Sequence, residues 1–451
     1  MQNDSALHQR ALHLIQLLRQ RLVQPTFAAQ HRRRPQDFTR ERVLTFPVLM
    51  LLLLQKSLKS LQNHLHEFLW QLGAGSADAP QISPGALTHA RAKLLASAFV
   101  DLNQTTVLPA VYGPAYGALV QRWSGHRLLA VDSSLVRLPQ SPELCERFGV
   151  VQCANQHGEH ESYPEARVSV LYDLLQQLGL DAHLVGSSTA ERPLAQAHLP
   201  ALQAQDLVIT DRGYAGYRWF VQVRARGGHF LSRCSRASFG TAQELFARDQ
   251  EGVSQILILD APKELRAECR ANGWPLELTV RFVTVRLSTG ELEVLVTSLL
   301  DETAYPTESF AKLYWRRWGQ ETYYGRLKGR LDLEHCSGQT VEAVEQDFHA
   351  LILLSNVESM VIGPAQEELA QASAKRPVPV QVNRAVSFHA LKSQIIDLLA
   401  SRVPAEKVLA QLSQWFLDNP TRVRRGRQVE RRKFSPSRSY HYQRRVRKIV
   451  F

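Results

Sequence analysis

Leu128-Leu-Ala-Val-Asp132 and Asp206-Leu-Val-Ile-Thr-Asp211 are two short apolar runs, and each of them ends in an aspartate. Uninterrupted apolar runs of about four to eight residues are typical of strands that are buried on both faces of a sheet. Further strands are predicted at residues 167–175, 180–185 and 229–233, and helices at residues 191–205 and 217–226. Strands that alternate with helices predict an α/β domain built around a mixed sheet.

The segments on either side of this domain have other patterns. Residues 5–24 and 39–72 carry leucines at helical spacing, and Ser83-Pro84 starts a helix that extends to Phe99. This N-terminal part suits a helical DNA-binding unit and a plain helical bundle equally well. The segment 237–300 has strand-like runs, and the remainder is predicted to contain helices at 308–330, 341–361, 386–401 and 404–416.

These patterns predict five segments along the chain. They are a helical DNA-end-binding domain at 1–120, a core at 121–236 and 300–362, a β-rich insertion at 237–299, a helical C-terminal region at 363–420 and a basic tail at 421–451.

The composition is that of a globular protein with a large core, at 451 residues with 44% hydrophobic and 21% charged residues. Five cysteines without a CxxC pair argue against a disulfide scaffold and favour the cytoplasm. The longest apolar run, Phe46 to Leu54, is too short to span a membrane, and the pattern of the first residues does not predict export. Four residues offer zinc ligands, but their spacing fits no common structural zinc site: Cys145, Cys153, His157 and His160.

Almost all of the net charge lies in the last residues of the chain. Residues 421–451 contain twelve Lys or Arg and one acid, so they carry 12 − 1 = +11 of the total +12. Tyr440 and Tyr442 are interleaved with these cations, and this pattern of residues suits phosphate contacts and stacking on bases. A tail that only aids solubility is the alternative.

Asp132 and Asp211 each follow a predicted buried strand. A carboxylate in that position costs free energy unless it is hydrogen-bonded, paired or bound to a cation. One such aspartate is more often a turn or helix cap. Two of them on strands of one sheet favour a site for Mg²⁺ or Mn²⁺, which prefer oxygen ligands.

The segment Tyr314-Trp-Arg-Arg-Trp-Gly-Gln-Glu-Thr-Tyr-Tyr-Gly-Arg-Leu-Lys328 adds a third carboxylate. On a continuous helix at about 100° per residue, Tyr314, Arg317, Glu321 and Lys328 share an arc of about 60°. A carboxylate flanked by two cations and a phenol suits a metal ion beside a phosphate. An exposed stripe with an Arg317–Glu321 ion pair at i,i+4 is the alternative.

The spacing Y-x2-R-x3-E-x6-K resembles the motif of the insertion-sequence-4 family of bacterial DDE transposases. Leu129-Ala-Val-Asp132-Ser-Ser is similar to the first aspartate block of that family, and Thr210-Asp211-Arg-Gly-Tyr214 to its second. The resemblance covers about residues 80–360. Ser133-Ser134 departs from the Gly-Thr of many relatives, which leaves the carboxylate in place.

The resemblance implies a ribonuclease-H-like core in which Asp132, Asp211 and Glu321 bind two Mg²⁺ ions, with Mn²⁺ as a substitute. The implied reaction cuts DNA at the terminal inverted repeats of an insertion sequence and joins the freed 3′-hydroxyls to target DNA. It further implies a homodimer in the DNA complex, no membrane partner, and a cytoplasmic protein that associates with the nucleoid when bound.

Other residues receive roles from the same resemblance. Tyr314, Arg317 and Lys328 would grip phosphates near the cleaved bond, with Arg317 offering two parallel hydrogen bonds. Some family members pass through a DNA hairpin in which a flipped base stacks on an aromatic side chain of the β insertion. Trp274 is the candidate for that contact, although a tryptophan there more often packs in a small core.

Two alternative functions are compatible with the same residues. A catalytically retired transposase would bind DNA without cutting it, although drift would soon damage an unused triad. A ribonuclease-H-like nuclease would cut DNA without joining it.

Overall fold

The computed structural model describes residues 5–40, 42–73, 81–154, 160–287, 290–374, 376–400 and 403–423. Two compact units make up these residues. The helical unit contains the described residues up to 120, residues 135–166, and the described residues from 326 onward. The sheet unit contains residues 121–134 and 167–325. The five-segment division made from the sequence stays a prediction.

The helices are α1 (Ala6–Leu22), α2 (Pro25–His31), α3 (Phe46–Gln55), α4 (Leu61–Leu72), α5 (Pro84–Arg91), α6 (Ser97–Asp101), α7 (Leu108–Tyr112), α8 (Pro142–Phe148), α9 (Glu191–Ala197), α10 (Tyr217–Ala225), α11 (Gly240–Arg248), α12 (Arg266–Asn272), α13 (Ser309–Trp315), α14 (Trp318–Gly329), α15 (Val341–Val361), α16 (Gly363–Ser373), α17 (Arg384–Ser393), α18 (Ile395–Leu399) and α19 (Ala405–Asp418). The strands are β1 (Leu128–Arg137), β2 (Val150–Ala154), β3 (His160–Asp173), β4 (Leu178–Gly186), β5 (Leu207–Thr210), β6 (His229–Arg233), β7 (Ser254–Asp260), β8 (Glu277–Arg286), β9 (Leu292–Thr297), β10 (Val380–Val382) and β11 (Pro420–Arg422). A π-helical turn at Leu102–Val107 joins α6 to α7.

The first helix of the helical unit forms as the sequence predicts, because Ser5 accepts a hydrogen bond from the His8 N–H and so caps α1. The predicted helix 39–72 is wrong in its extent. It starts at Phe46, and it is interrupted after Gln55 because Lys56 has φ +26° and its Nζ donates to the Asp332 carbonyl oxygen. The predicted helix that extends to Phe99 divides in the same way into α5 and α6.

Helix α15 is the central element of the helical unit, and it has the bounds that the sequence predicts. Thr340 caps its N-terminus, and nearly every side chain along it is buried. It packs against α1, α3 and α6. The buried Asn356 donates to Asn103 on the π-helical turn, which satisfies a polar group inside this apolar core.

The sheet has the strand order β3-β1-β5-β6-β9-β8-β7, with β2 and β4 both paired to β3. Strands β1, β5 and β6 are parallel. Two hydrogen bonds show that β3 runs antiparallel to β1. Leu174 N donates to Leu128 O at one end, and Leu138 N donates to Pro164 O at the other. The prediction of an α/β fold with a mixed-sheet core and helical regions at both ends is confirmed. The strand order is compatible with the ribonuclease-H-like plan that the resemblance implies.

Strands β7 to β9 correspond to the predicted β-rich insertion. They do not form a sheet of their own, because β9 pairs with β6 and β8 and β7 extend the same sheet. The hydrophobic core of the sheet unit joins side chains of β8 and β9 to those of the parallel strands. Buried members of this core are Leu207, Leu231, Val283, Leu295 and Phe310.

The predicted helix 308–330 is also divided, since α13 ends at Trp315 and α14 begins at Trp318. Between them the backbone tightens into i→i−3 hydrogen bonds, from Arg317 N to Tyr314 O and from Gln320 N to Arg317 O. Gly319 allows a close approach here, because a Cβ at that position would lie 2.9 Å from Leu174 Cδ2. The prediction that Arg317 lies inside a continuous helix is therefore wrong.

Among the described residues, no single helix is long and apolar enough to cross a membrane. Helices α15 and α16 pass that test of length and composition only as a pair, with a bend of 48° between them. Residues 424–451, which include almost all of the predicted basic tail, lie outside the described residues, as do His157 and the side chains of Cys153 and His160.

Candidate active site

The parallel pairing of β1 and β5 brings two of the predicted carboxylates together. Leu128 pairs with Leu207 and Ala130 with Ile209. Continuing this register by two residues sets Asp132, in the middle of β1, opposite Asp211, which directly follows β5. The same register pairs Arg127 with Asp206 at the other end, where a buried ion pair of 2.6 Å fixes the alignment.

Local hydrogen bonds hold both aspartates in place. The Ser133 N–H donates to Asp132 Oδ1 at 2.8 Å, and the Gly213 N–H donates to Asp211 Oδ1 at 2.7 Å. The main-chain oxygen of Asp132 accepts from the Tyr324 hydroxyl at 2.8 Å. Both carboxylates therefore have a fixed direction before any ligand binds.

Arg317 connects the third carboxylate to the first. Its Nη2 donates to Glu321 Oε1 at 2.9 Å, and its Nη1 lies 4.0 Å from Asp132 Oδ2. The Arg317 side chain is only 7% exposed, whereas those of Asp132 and Glu321 are 26% and 28% exposed. The carboxylates thus reach solvent around a buried cation.

Negative charge is in excess at this site. The pKa of Asp132 is raised to about 6, first by burial and in smaller part by the neighbouring carboxylates of Asp211 and Glu321. The Ser133 N–H and the Arg317 guanidinium act in the opposite direction without cancelling these effects. A carboxyl group whose pKa is raised in this way gains free energy from a bound cation.

The donor set suits a hard divalent cation, since all three side chains offer carboxylate oxygens. Among the described residues, three donor atoms within 4.8 Å of one another occur at Asp181, His183 and His198, and not at the three carboxylates. The Arg317 guanidinium bonds to Glu321 and approaches Asp132 in this structure, so it supplies the positive charge there.

Comparison with known proteins assigns the chain to a family. The model of the family described as "Transposase DDE domain" matches residues 123–357, which include all three carboxylates. The chain belongs to the DDE transposase family. The resemblance to the insertion-sequence-4 family is confirmed by a relative, the transposase InsG of insertion sequence element IS4 from Escherichia coli (strain K12). The two are 24% identical over 241 residues, and the chain spans about half the length of this relative, 52% of each protein.

A piggyBac transposase synaptic complex with hairpin DNA is among the solved structures that are similar to this chain. The two proteins are 10% identical, the aligned region covers 89% of this chain and 85% of the other, and the TM-score is 0.45. At that score the likeness is loose, and the strand order given above defines the fold of the DDE domain.

The three predicted phosphate-binding residues have different surroundings. Arg317 lies beside the carboxylates. Tyr314 is 3% exposed, its hydroxyl is buried without a hydrogen-bond partner, and burial raises its pKa to about 12. Lys328 belongs to the helical unit, where its Nζ donates to the Leu135 carbonyl oxygen and lies 3.9 Å from Glu334.

Trp274, the predicted base-stacking residue, lies between α12 and β8. Its side chain is half-buried, and its backbone N–H donates to the Cys269 carbonyl oxygen. Nothing in these contacts assigns it to DNA or to a small core, so its role stays a prediction.

The sequence analysis assigned no role to Tyr324. Its hydroxyl donates to the Asp132 main-chain oxygen and accepts from the Val170 N–H at 3.0 Å, so it links α14 to two strands of the DDE domain. Burial raises the pKa of Tyr324 well above its usual range, which keeps the hydroxyl protonated as a donor. Its spacing offered a signal, because it follows Glu321 by three residues and lies on the same helix.

Proposed function

We propose that this chain is a DNA transposase that cuts at the ends of an insertion sequence and transfers the freed strands into target DNA. One observation carries the proposal. The register of β1 and β5 sets Asp132 opposite Asp211, and Arg317 joins Glu321 to the same group. In a member of the DDE family, three converging carboxylates are the expected catalytic and metal-binding groups.

The residues Asp132, Asp211 and Glu321 would hold Mg²⁺, with two ions in the full complement and Mn²⁺ as a substitute. When bound, the cations would activate the attacking hydroxyl and stabilise the departing 3′-oxygen. The chain itself supplies the orientation of the ligands. Tyr324 fixes the main chain at Asp132, and the Gly213 N–H fixes the carboxylate of Asp211.

Arg317 would exchange partners when DNA and metal ions are present. Its guanidinium neutralises Glu321 and approaches Asp132 in this structure, and divalent cations would take over that neutralisation. A guanidinium that is released next to the reacting bond can donate two hydrogen bonds to a phosphate. The hydroxyl of Tyr314 is buried without a hydrogen-bond partner, and the Arg317 guanidinium carbon lies 5.7 Å from the centroid of the Tyr314 ring, which supports a polar ligand near these two residues. Lys328 and Trp274 are proposed as further DNA contacts on sequence grounds.

The proposed partners are the terminal inverted repeats and the target DNA. The basic tail at 421–451 would bind phosphates, and a homodimer would hold two ends together. The place of action would be the cytoplasm, on the nucleoid. The tail supports DNA binding through its charge of +11, since one-sided basic clustering is the usual electrostatic footprint of a nucleic-acid-binding protein.

The test is cleavage of a DNA fragment that carries the ends of the element, with purified protein and Mg²⁺. The variants Asp132→Asn, Asp211→Asn and Glu321→Gln should each lower the cleavage rate by roughly a thousand-fold or more, because each removes a ligand charge while it preserves shape. Asp260→Asn is the matched control, since Asp260 is an exposed aspartate at the end of β7, and the substitution should leave the rate unchanged.

A carboxylate variant that cleaves at nearly the normal rate would contradict the site. A wild-type protein that cuts but never joins ends to a target plasmid would instead be a nuclease without strand transfer. A protein that binds the ends without cutting them would be a retired transposase.

A further inference from the structure

A second cluster of metal-ligating side chains lies in the sheet unit, on β4 and at the end of α9. Asp181 Oδ2 is 2.7 Å from His198 Nδ1 and 2.9 Å from His183 Nε2. The ligand atoms of all three residues lie within 4.8 Å of one another, and the centroids of the two imidazole rings are 4.7 Å apart. We propose that these three side chains bind a zinc ion, separate from the cations proposed for the DDE carboxylates.

The donor set selects the ion. Two imidazole nitrogens and one carboxylate oxygen suit Zn²⁺, whereas Mg²⁺ prefers oxygen ligands. Zinc bonds of about 2.0–2.1 Å in a tetrahedron place the donor atoms about 3.3 Å apart. The observed separations of 2.7 and 2.9 Å need to open by about half an ångström to reach that value. Three protein ligands leave the fourth position to water.

The hydrogen bonds around His198 leave one of its nitrogens facing an acceptor. Its Nε2 lies 2.9 Å from Ser169 Oγ, and the single hydroxyl proton of Ser169 is donated to the Asp132 main-chain oxygen at 3.2 Å. In the tautomer where Ser169 donates to Asp132, Nε2 is the donor to Ser169. The remaining nitrogen of a neutral ring then points a lone pair at Asp181 Oδ2, 2.7 Å away. Two acceptors at that distance need either a proton or a metal ion between them.

His183 also has a ring nitrogen that faces the Asp181 carboxylate. Its Nε2 is buried and makes no hydrogen bond of ordinary geometry, although it lies 2.9 Å from Asp181 Oδ2. The ring is also hydrogen-bonded to the backbone of Ala197. In metal sites the histidine ligands are oriented by a hydrogen bond from the other ring nitrogen, which is the role of Ser169 and of the Ala197 backbone here. A zinc ion would satisfy the facing atoms of both rings at once.

The site has a structural consequence for the DDE domain. Ser169 bonds both to His198 and to the main chain of Asp132. A zinc ion that fixes the His198 ring would thus also fix the part of β1 that carries the first carboxylate. The rival arrangement has no metal, and a charged imidazolium of His198 or His183 pairs with Asp181 instead.

The test is zinc binding by the full-length protein without DNA, in an Asp211→Asn background that weakens metal binding at the carboxylate site. After removal of metals with a chelator, calorimetric titration with Zn²⁺ should show one equivalent. Asp181→Asn and His183→Gln should each lower the affinity for Zn²⁺ by at least about a hundred-fold. Co²⁺ in place of Zn²⁺ should give the visible absorption bands of a tetrahedral ion, and both variants should lose them.

His229→Gln is the matched control. His229 is a half-buried histidine of the same unit that bonds to Ser298, and its loss should leave zinc affinity unchanged. Circular dichroism reports whether each variant is folded, and His183, at 33% exposure, tolerates glutamine best. Failure of the wild type to take up an equivalent of Zn²⁺ would overturn the proposal, and so would undiminished affinity in folded His183→Gln. Since no step uses DNA, the result is independent of whether the chain is an active transposase.

Discussion

Two aspartates of this protein lie beside an arginine, one in each unit, and their surroundings are opposite. Asp347 on α15 is buried, and its carboxylate accepts hydrogen bonds from Arg91 at 2.5 Å and from both the N–H and the hydroxyl of Ser337. Asp132 in the middle of β1 is partly exposed. It lies 4.0 Å from Arg317, which bonds to Glu321 instead.

The difference is visible in the direction of the pKa shifts. Burial raises the pKa of both carboxyls, but at Asp347 the charges of Arg91 and Lys56 and the Ser337 hydrogen bonds outweigh it and lower the pKa. At Asp132 the net shift is upward, because the Ser133 hydrogen bond and the Arg317 charge do not outweigh burial, and the carboxylates of Asp211 and Glu321 add to it. Three carboxylates and one guanidinium carry two negative charges together. The helical unit therefore holds a satisfied ion pair, and the DDE site holds an excess of negative charge that we propose a divalent cation neutralises.

The largest effect expected from this comparison is on stability. Asp347→Ala should lower the free energy of unfolding by about 3–5 kcal/mol, because it leaves the buried Arg91 guanidinium without its counter-ion. Urea unfolding followed by circular dichroism measures the change. Glu67→Gln breaks the exposed Lys59–Glu67 pair, in which both side chains are about half exposed, and should cost less than about 1 kcal/mol. A cost for Asp347→Ala as small as that of the control would remove the distinction between the two sites.

The satisfied pair could not be predicted from the sequence, because Arg91 and Asp347 are 256 residues apart. Helix α15 could be predicted, since Thr340 caps a long apolar segment. The breaks after Gln55 and Trp315 could not, because they depend on tertiary contacts such as that of Lys56 with the Asp332 carbonyl oxygen. Local patterns predict elements, and long-range contacts decide where they end.

The candidate site shows the same limit. The apolar runs predicted β1 and β5, and each predicted aspartate lies directly after an apolar run. The parallel register that sets Asp132 opposite Asp211 is a property of the sheet and leaves no local trace in the sequence. The hydroxyl of Tyr324 reaches the main chain of Asp132, 192 residues away, so its role also appears only in the folded chain.

Arg317 provides the next test, because its two proposed roles predict opposite changes. Arg317→Gln removes the cation that competes for Asp132 and Glu321, so the Mg²⁺ concentration needed for half-maximal cleavage should fall. At saturating Mg²⁺ the cleavage rate should still drop by about a hundred-fold, since the guanidinium no longer binds the phosphate. Arg317→Lys should recover part of the metal requirement of the wild type but little of the rate, because an ammonium lacks the two-pronged geometry.

Single-turnover cleavage across a Mg²⁺ titration measures both quantities. Arg316→Gln, at the neighbouring position in the same tight turn, is the control for a general loss of positive charge. Equal losses of cleavage rate in Arg317→Gln and Arg316→Gln would mean that the effect comes from net charge. A normal rate for Arg317→Gln at saturating Mg²⁺ would mean that Arg317 does not bind the phosphate.

The smallest expected effect concerns the stability of the metal-free protein. The pKa of Asp132 is about 6 in the folded chain and about 3.9 in an unfolded one, so the folded state holds more protons between these values. The free energy of unfolding contributed by this group therefore falls as the pH rises from about 4 to about 6. Asp132→Asn removes the charge, and at pH 7.5 without metal it should raise the free energy of unfolding by about 1 kcal/mol after screening by solvent.

At pH 4.5 the same variant should have nearly the stability of the wild type, because the wild-type carboxyl is then largely protonated. Mg²⁺ at pH 7.5 should stabilise the wild type more than Asp132→Asn, since it binds the folded state through this carboxylate. Thermal unfolding with and without Mg²⁺ at the two pH values gives all of these differences, with Asp260→Asn as the control. If Asp132→Asn raised the free energy of unfolding equally at both pH values, the asparagine would stabilise the fold through its shape. The excess of negative charge that distinguishes Asp132 from Asp347 would then lose its support.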